Sequence, residues 1–295
     1  QVCVSFFFSS VRVTVTPGIN TALLRSRCIS SVDGSDVLIK MREGKLAGAE
    51  LISLYKLDEL REVTMDPDGS LRIGPMTSFS HATKSPLLQQ YMPVLGEAAD
   101  TAGGPQLRNI GTLGGNICNG VTSADTASTE VAYDAMLEIT GPSGMRKISI
   151  HDFYKGVGKV DLQPGELLTG ILIPKESYEN CYGYYIKYAM RNAMDIATIG
   201  CSINVVLSAD KKTIQRMRIS YGVAGPVPMR ARSAEAAING QPVSEATIQL
   251  IGTAVLNDVN PRTSWRASAD FRKQIISETA RRGLRAAVER AGGVF

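Results

Sequence analysis

The sequence predicts an α+β chain built as two domains, and three observations predict it. At 295 residues the chain is long enough for two hydrophobic cores. Its texture changes at PKESYENC, residues 174–181. Beyond that point three runs of strand character precede 65 residues that read mostly as helix. The division is therefore drawn as 1–175 and 180–295, the second part smaller.

Residues 1–31 are atypical of the rest. VRVTV alternates as a strand does, Pro17-Gly18 marks a turn, and NTALLRS opens a short helix. SSVDGSDVLIKMREGKL then gives a polar, glycine-bearing turn and an apolar run from Val37 to Met41. Such a turn can aim free N–H groups at an anion, although an ordinary β-turn reads the same way. AELISLYKL has strand character, LDELREV starts a helix, and MDPDGSLRIGP is a hairpin, because Asp68-Gly69 suits a tight turn. Two helices are expected between 77 and 102. One starts at Ser78 or Ser80 and stops before Ser85-Pro86; the other carries Val94, Leu95 and Ala98.

The stretch 101–130, TAGGPQLRNIGTLGGNICNGVTSADTASTE, holds six glycines and is dense in Ser, Thr and Asn. No helical period runs through it. Glycine permits close approach of a ligand to the backbone, and the short polar side chains offer hydrogen bonds at little rotamer cost. Leu107, Ile110, Leu113, Ile117 and Val121 are spread along it, which a solvated linker does not need. The expectation is an irregular but packed loop around a polar, phosphate-bearing ligand.

After residue 130 come an apolar segment, a strand, a Gly141-Pro142 turn and a second strand, and the segment to Pro174 ends in another. In the second domain GYYIKYAMR, TIGCSINVVLS and IQRMRISYGVAG predict a three-stranded antiparallel sheet. Helices follow at ARSAEAAING, SEATIQLIGTAVLNDV and ADFRKQIISETARRGLRAAVERAGG, the last ended by Gly-Gly.

Composition excludes several functions. The 32 basic and 28 acidic residues are scattered and leave a net charge of only +4, too little to mark a nucleic-acid surface. No run reaches the roughly 18 apolar residues of a membrane span, so no membrane association is expected. Five cysteines without a CxxC pair fit neither a disulfide framework nor a metal or iron–sulfur site, and they favour a cytoplasmic setting. With His81 and His151 as the only histidines and no GxSxG, GxxxxGK[ST] or GxGxxG, hydrolase, P-loop and Rossmann readings all lapse. Two glycine-bearing turns in a chain with few acid–base side chains suit a cofactor that brings its own reactivity, such as a flavin. Lys187 or Arg191 offers the positive charge that a reduced flavin favours; as exposed strand or turn charges both are equally ordinary.

RNIGTLGGNICNGVTSAD, KYAMRNAMDIATIG and PRTSWRAS, in that order, resemble the FAD-binding subunit of the xanthine dehydrogenase family of molybdenum hydroxylases in its separate-subunit bacterial form. The likeness spans about residues 33–293. It implies a two-part FAD domain of the vanillyl-alcohol-oxidase (PCMH) type, followed by a smaller C-terminal α+β domain of the CO dehydrogenase flavoprotein type. It implies a molybdopterin-binding large subunit and a [2Fe–2S] small subunit as partners, with purine oxidised in the former. FAD in this chain then passes electrons to NAD⁺.

Residue by residue, the resemblance places Val32, Asp33, Gly34, Ser35 and Asp36 in a first pyrophosphate turn. It places Thr112, Gly114, Gly115, Asn116 and Asn119 in a second FAD loop ended by Asp125. Leu168 falls beside the flavin ring and Lys187 at its polar edge, as the one candidate for tuning the flavin; no metal ligand is expected. Two departures stand out. The aromatic-rich opening of the family is missing from 1–31, and VDGSD puts Asp33 where the family has a first glycine. A stand-alone FAD oxidase of the same fold and a flavin-free structural subunit are the competing expectations.

Overall fold

The computed structural model describes residues 5–6, 13–14, 28–31, 35–45, 50–54 and 57–295. The strand expected in VRVTV is represented by Val13–Thr14, paired with Ser5–Phe6. The Pro17-Gly18 turn, the helix at NTALLRS and the turn residues Val32, Asp33 and Gly34 lie outside the described residues. Cys28–Ser31 and Glu50–Ser53 run parallel, and the helix Ser35–Arg42 lies between them in the chain. The apolar run after the first turn is therefore helical, with Asp36 in its first turn and Lys40 and Arg42 in its last, charges that complement the helix dipole.

An antiparallel sheet comes next, in the order Val63–Met65, Leu71–Ile73, Leu167–Ile173, Met136–Gly141, Gly144–Ser149. The expected Asp68-Gly69 turn closes its first hairpin: Gly69 takes φ +81°, and Asp66 and Ser70 hold the ends together. Met136–Gly141 alternates as a half-covered strand should, burying Leu137 and Ile139.

The helices that share this core are shorter and more numerous than expected. Phe79–Lys84 is capped by Ser78, which accepts from His81 N. After it the chain forms two helices, Pro86–Tyr91 and Pro93–Asp100, rather than one. Each opens on a proline, whose ring presets φ and whose missing N–H is not needed in a first turn. Ser85 is accordingly extended, as a residue before proline must be. Leu88, Met92 and Leu95 from these turns are fully buried with Ile73, Leu137 and Ile171, each worth roughly 1.5–3 kcal/mol. The stretch 101–130 is also more regular than expected. It contains Pro105–Ile110 and Leu113–Cys118 and enters Ala127–Ala132, all of six residues. Segments that short leave no readable period.

In the C-terminal half Tyr182–Tyr188, Ile199–Leu207 and Ile214–Gly222 form the expected antiparallel sheet, and a two-residue strand, Met229–Arg230, adds a fourth position at its edge. Arg232–Ile238, Glu245–Ala254 and Ala269–Arg290 cover it. Their apolar residues Ile238, Ile251, Ile276 and Leu284 close a second core on Ile203 and Ile219. Gly283 lets the long helix lie close, since a Cβ there would stand 2.9 Å from Ile203 Cγ2. Gly292, at φ +84°, ends that helix as the Gly-Gly pair predicts.

Polar side chains tie the two halves. Arg290 Nη1 donates to Glu97 at 2.7 Å and to Gly183 O at 2.9 Å, with its guanidinium over the Tyr184 ring. Asn204 Nδ2, inside the sheet, donates to Ala132 O at 3.0 Å. Asp134 receives Arg218 at 3.0 Å, His151 Nε2 at 2.6 Å and Arg230 Nη1.

Candidate functional site

The second glycine loop is built on Thr112. Its hydroxyl accepts from Gly115 N at 3.1 Å, and its carbonyl accepts from Asn116 N. Thr112 also bridges to Ser78, so the N-terminal cap of one helix is laid against the cap of another. Gly114 and Gly115 have different tasks. A Cβ on Gly114 would stand 2.4 Å from Pro75 Cβ and 2.6 Å from Pro75 O, so Gly114 is required by packing. Gly115 is exposed, and a Cβ there would meet only Thr112 Oγ1, at 2.9 Å. Neither has a positive φ; in this stretch that conformation belongs to Gly103 and Gly120. The N–H groups at the start of Leu113–Cys118 are already used: Leu113 N binds Thr77 O, Gly114 N binds Pro75 O, and Gly115 and Asn116 bind Thr112. Gly114, expected in the second FAD loop, is held there by close packing, with its N–H spent on Pro75 O.

What remains available on this loop is its open glycine face and its amides. Asn116 is held inward, its Oδ1 accepting from Thr126 N at 3.2 Å and Thr126 Oγ1 at 2.8 Å. Asn119 points the other way. Its Nδ2 donates to Asp36 Oδ2 at 3.1 Å, and its Oδ1 accepts from Lys40 Nζ at 3.3 Å. Asp36 and Asn119 are 83 positions apart in the chain. Their contact brings the helix after the first glycine turn to the second loop. Lys40 does not stand out in the sequence, where nothing but its place four residues after Asp36 marks it. The Lys40 ammonium, whose charge is met here only by a neutral carboxamide oxygen, fits the phosphate part of a dinucleotide, while the Asp36 carboxylate holds the Asn119 carboxamide in place.

Asp125 and Lys187 also come together. Lys187 Nζ stands 3.0 Å from Asp125 Oδ2 and donates to Thr101 O at 2.9 Å. The Tyr185 hydroxyl approaches Asp125 Oδ1 at 3.5 Å. The two charged side chains are only 8% and 13% exposed. Lys187, offered by the sequence as a positive charge for a flavin, is thus paired with a carboxylate and buried. Burial pushes the Asp125 carboxyl up to about 6, with Lys187 pulling the other way. A protonated Asp125 frees the ammonium; an ionised one neutralises it. Arg191 is exposed and bound to its own loop, through Met194 O and the Asp195 carboxylate. Leu168 is buried in the N-terminal core, where the sheet register shifts just after it.

One group near this loop carries no signal in the sequence. Glu130 is fully buried, neither of its carboxyl oxygens has a partner, and burial pushes it up to about 8. The Tyr154 hydroxyl is likewise buried and unpaired. Among the described residues no cluster of His, Cys, Asp and Glu could hold a metal ion, and no helix is long and apolar enough to cross a membrane.

Comparison with known proteins places these features. Residues 27–176 match the family described as the FAD binding domain in molybdopterin dehydrogenase, and residues 184–287 match the CO dehydrogenase flavoprotein C-terminal domain. The chain is 42% identical to the xanthine dehydrogenase FAD-binding subunit of Escherichia coli O157:H7 over 260 residues, 88% of each chain. It is 28% identical to the carbon monoxide dehydrogenase medium chain of Hydrogenophaga pseudoflava, over 86% of this chain and 87% of that one. Among solved structures, a chain of carbon monoxide dehydrogenase from Hydrogenophaga pseudoflava, in a form lacking the Mo-pyranopterin moiety, superposes with a TM-score of 0.85 at 28% identity. The superposition covers 91% of this chain and 92% of the other.

Proposed function

The chain belongs to the FAD-binding subunits of the molybdopterin dehydrogenases, in their xanthine dehydrogenase-like, separate-subunit bacterial form, and from that premise we propose the path its electrons take. It is an FAD-dependent oxidoreductase subunit of a molybdopterin-dependent hydroxylase complex. In our reading a purine is oxidised in a molybdopterin-binding large subunit, and [2Fe–2S] clusters of a small subunit relay the electrons. FAD in this chain delivers them to NAD⁺. The cysteine usage favours the cytoplasm as its location. When bound, the flavin supplies the two-electron chemistry that joins single-electron carriers to a hydride acceptor.

The observation that carries the reading is the Asn119 junction. It supports a phosphate site between two segments that the resemblance assigns to the same group, with Ser35 and Asp36 on one side and Thr112, Gly115, Asn116 and Asn119 on the other. Val32, Asp33 and Gly34 belong to the same turn by sequence. Leu168 would flank the flavin ring, and the Asp125–Lys187 pair would set the charge at its polar edge according to which of the two holds the proton. Thr112 orients the loop and does not itself need to touch the cofactor.

Gly115→Val tests this. Its side chain stands on the exposed face of a helix and shields the backbone from a ligand, while its Cβ would meet the capping Thr112 Oγ1 at 2.9 Å and make the cap shift. FAD affinity should fall at least about tenfold, with stability lowered by no more than the loss of a cap, about 1 kcal/mol. Full FAD occupancy in this variant would remove Gly115 from the site. The electron path is tested separately: with FAD bound, the chain alone should reduce artificial acceptors with NADH and oxidise no purine. Purine turnover without the partner chains would contradict the division of labour.

A further inference from the structure

The second glycine loop closes over a buried acid. Glu130 lies on the helix Ala127–Ala132, is 0% exposed, and has no partner for either carboxyl oxygen. Among the described residues, the Cys118 thiol and the Tyr154 hydroxyl stand within electrostatic range of it, and no cation does. The hydroxyl is itself buried and unpaired. Three segments therefore meet at this carboxyl: its own helix, the end of Leu113–Cys118, and the start of the strand Tyr154–Gly156.

These walls are also the backbone of the phosphate junction. Asn119, which holds Asp36 and Lys40, lies between Cys118 and Gly120 in the chain. Gly120 O accepts from Gly158 N at 2.9 Å, so the hairpin that begins at Tyr154 is fastened to the loop. On the other side Asn116 Oδ1 accepts from Thr126, which ties the helix before Asn119 to the start of the Glu130 helix. A movement that brought the Glu130 carboxyl to water would part these walls and displace Asn119.

Nothing packed against the helix offers Glu130 a counter-charge. The strands Ile199–Leu207, Ile214–Gly222 and Met229–Arg230 touch it, as do the helices Pro93–Asp100 and Ile150–Phe153. Arg218, Arg230 and His151 are held by Asp134, and Arg216 by Cys181. Glu97 is bound to Arg290 and Asp100 to Arg108, while Asp152, Lys155 and Lys159 are exposed. Cys201 and Tyr221 belong to the second core. An ionised carboxylate here has neither solvent nor donor, so the closed loop holds the acid with its proton on. Burial accordingly pushes it up to about 8. Brought to water, it returns to the ordinary glutamate range near 4.5. Between those values each unit of pH favours the exposed carboxyl by about tenfold.

We propose that Glu130 is a proton-bearing latch of the flavin site: the second glycine loop opens by bringing this carboxyl to water, so that opening releases a proton and alkali loosens the hold on FAD. The proposal rests on the reading of the Asn119 junction as a phosphate site. By reciprocity, FAD that keeps the loop closed also keeps the proton on Glu130.

Hydrogen exchange of the full chain, with and without FAD, tests this. Protection factors, corrected for the intrinsic effect of pH on exchange, are read for the amides of residues 113–132. In the wild type they should fall by up to about tenfold per unit between about pH 6.5 and 8, above the Asp125 value of about 6. In Glu130→Gln they should stay level. Added FAD should raise protection, and its dissociation, followed by the return of free-flavin fluorescence, should quicken with pH in the wild type only. Protection that stays level in the wild type overturns the latch, whether or not the variant folds. A slope that survives in Glu130→Gln assigns the proton to another group and overturns it equally. A slope in protection with flavin dissociation unchanged overturns the coupling of this acid to the cofactor. Failure of the wild type to bind FAD at about pH 6.5 would instead overturn the reading of the junction beneath the proposal.

Discussion

Asp125 and Asp134 lie nine residues apart, and both reach from the N-terminal half to cations of the C-terminal half. Their surroundings move them in opposite directions. At Asp134 burial is outweighed by His151, Arg230 and Arg218, which hold its carboxyl well below the usual carboxylate range. At Asp125 a single lysine fails to offset burial, and the carboxyl rises to about 6. Between them in the chain, Glu130 has no partner at all and rises to about 8. The series follows donor count, not depth alone. A saturated carboxylate fastens two halves together; an under-paired one keeps a proton within reach of neutral pH, which is useful only beside chemistry that changes charge.

The largest effect is expected at Glu130. Its folded pKa is raised above that of the unfolded chain, so its contribution to stability is full below about pH 4.5 and is lost as pH rises through about 8. By linkage that loss is at most about 5 kcal/mol. Urea titrations of wild type and Glu130→Gln across this window should diverge steadily with pH, the variant gaining. Parallel curves would mean that the carboxyl finds a partner in solution, and the series would lose its end member.

Asp134→Ala should come next. It leaves Arg218 without its carboxylate and Arg230 with Glu235 only. The expected cost is about 3 kcal/mol, the low end for a broken buried pair because Asp134 is 31% exposed. Here the sign is reversed: the depressed pKa gives stability that is present above the unfolded value near 4 and is lost as pH falls through the folded value. The difference between wild type and variant should thus be flat above about pH 5 and shrink in acid. A difference that grows in acid would contradict the assignment.

For Asp125 the stability it contributes is present below about pH 4 and lost as pH rises through about 6, a fall of up to about 3 kcal/mol. Asp125→Asn should remove that slope. Its diagnostic value lies in the flavin: FAD binding by the wild type should change with pH near 6, and binding by the variant should not. Identical pH profiles would detach this pair from the cofactor.

Much of the fold was legible because its signals are local. Asp68-Gly69 and the cap Ser78 each act within four residues. The short helices opening on Pro86, Pro93 and Pro105 were not, because a proline that starts a helix looks in sequence like one that stops it. The site was legible as a set of loop residues but not as a geometry. Nothing in the chain tells that Asn119 meets Asp36, that Lys187 is spent on Asp125, or that Gly114 packs on Pro75 while Gly115 stays open. Those are pairings over long separations, and only the assembled fold makes them.

The smallest expected effect concerns Asp33, at the position where the resemblance calls for a glycine. If the turn beginning at Asp33 holds pyrophosphate, a carboxylate there repels it, by less than about 1 kcal/mol through solvent. Asp33→Gly should tighten FAD binding several-fold at low salt, with the gain fading as salt rises. Weaker binding in the glycine variant would show that Asp33 supports the turn.

Asn204 bears on how chains of this kind can be recombined. Its amide, inside a buried strand, is the donor that completes Ala132 O at the end of a short helix in the other half. A hybrid that joins a foreign C-terminal half near residue 180, where the chain crosses once, separates the two parents at this contact. An apolar residue in place of Asn204 would then strand the carbonyl in dry surroundings, at about 1–3 kcal/mol. Asp134 with Arg218 and Arg230 extends the same constraint to residue 230. Crossovers between 132 and 230 should therefore be depleted in a library selected for folded flavoprotein, and the obvious connection near 180 lies inside that gap.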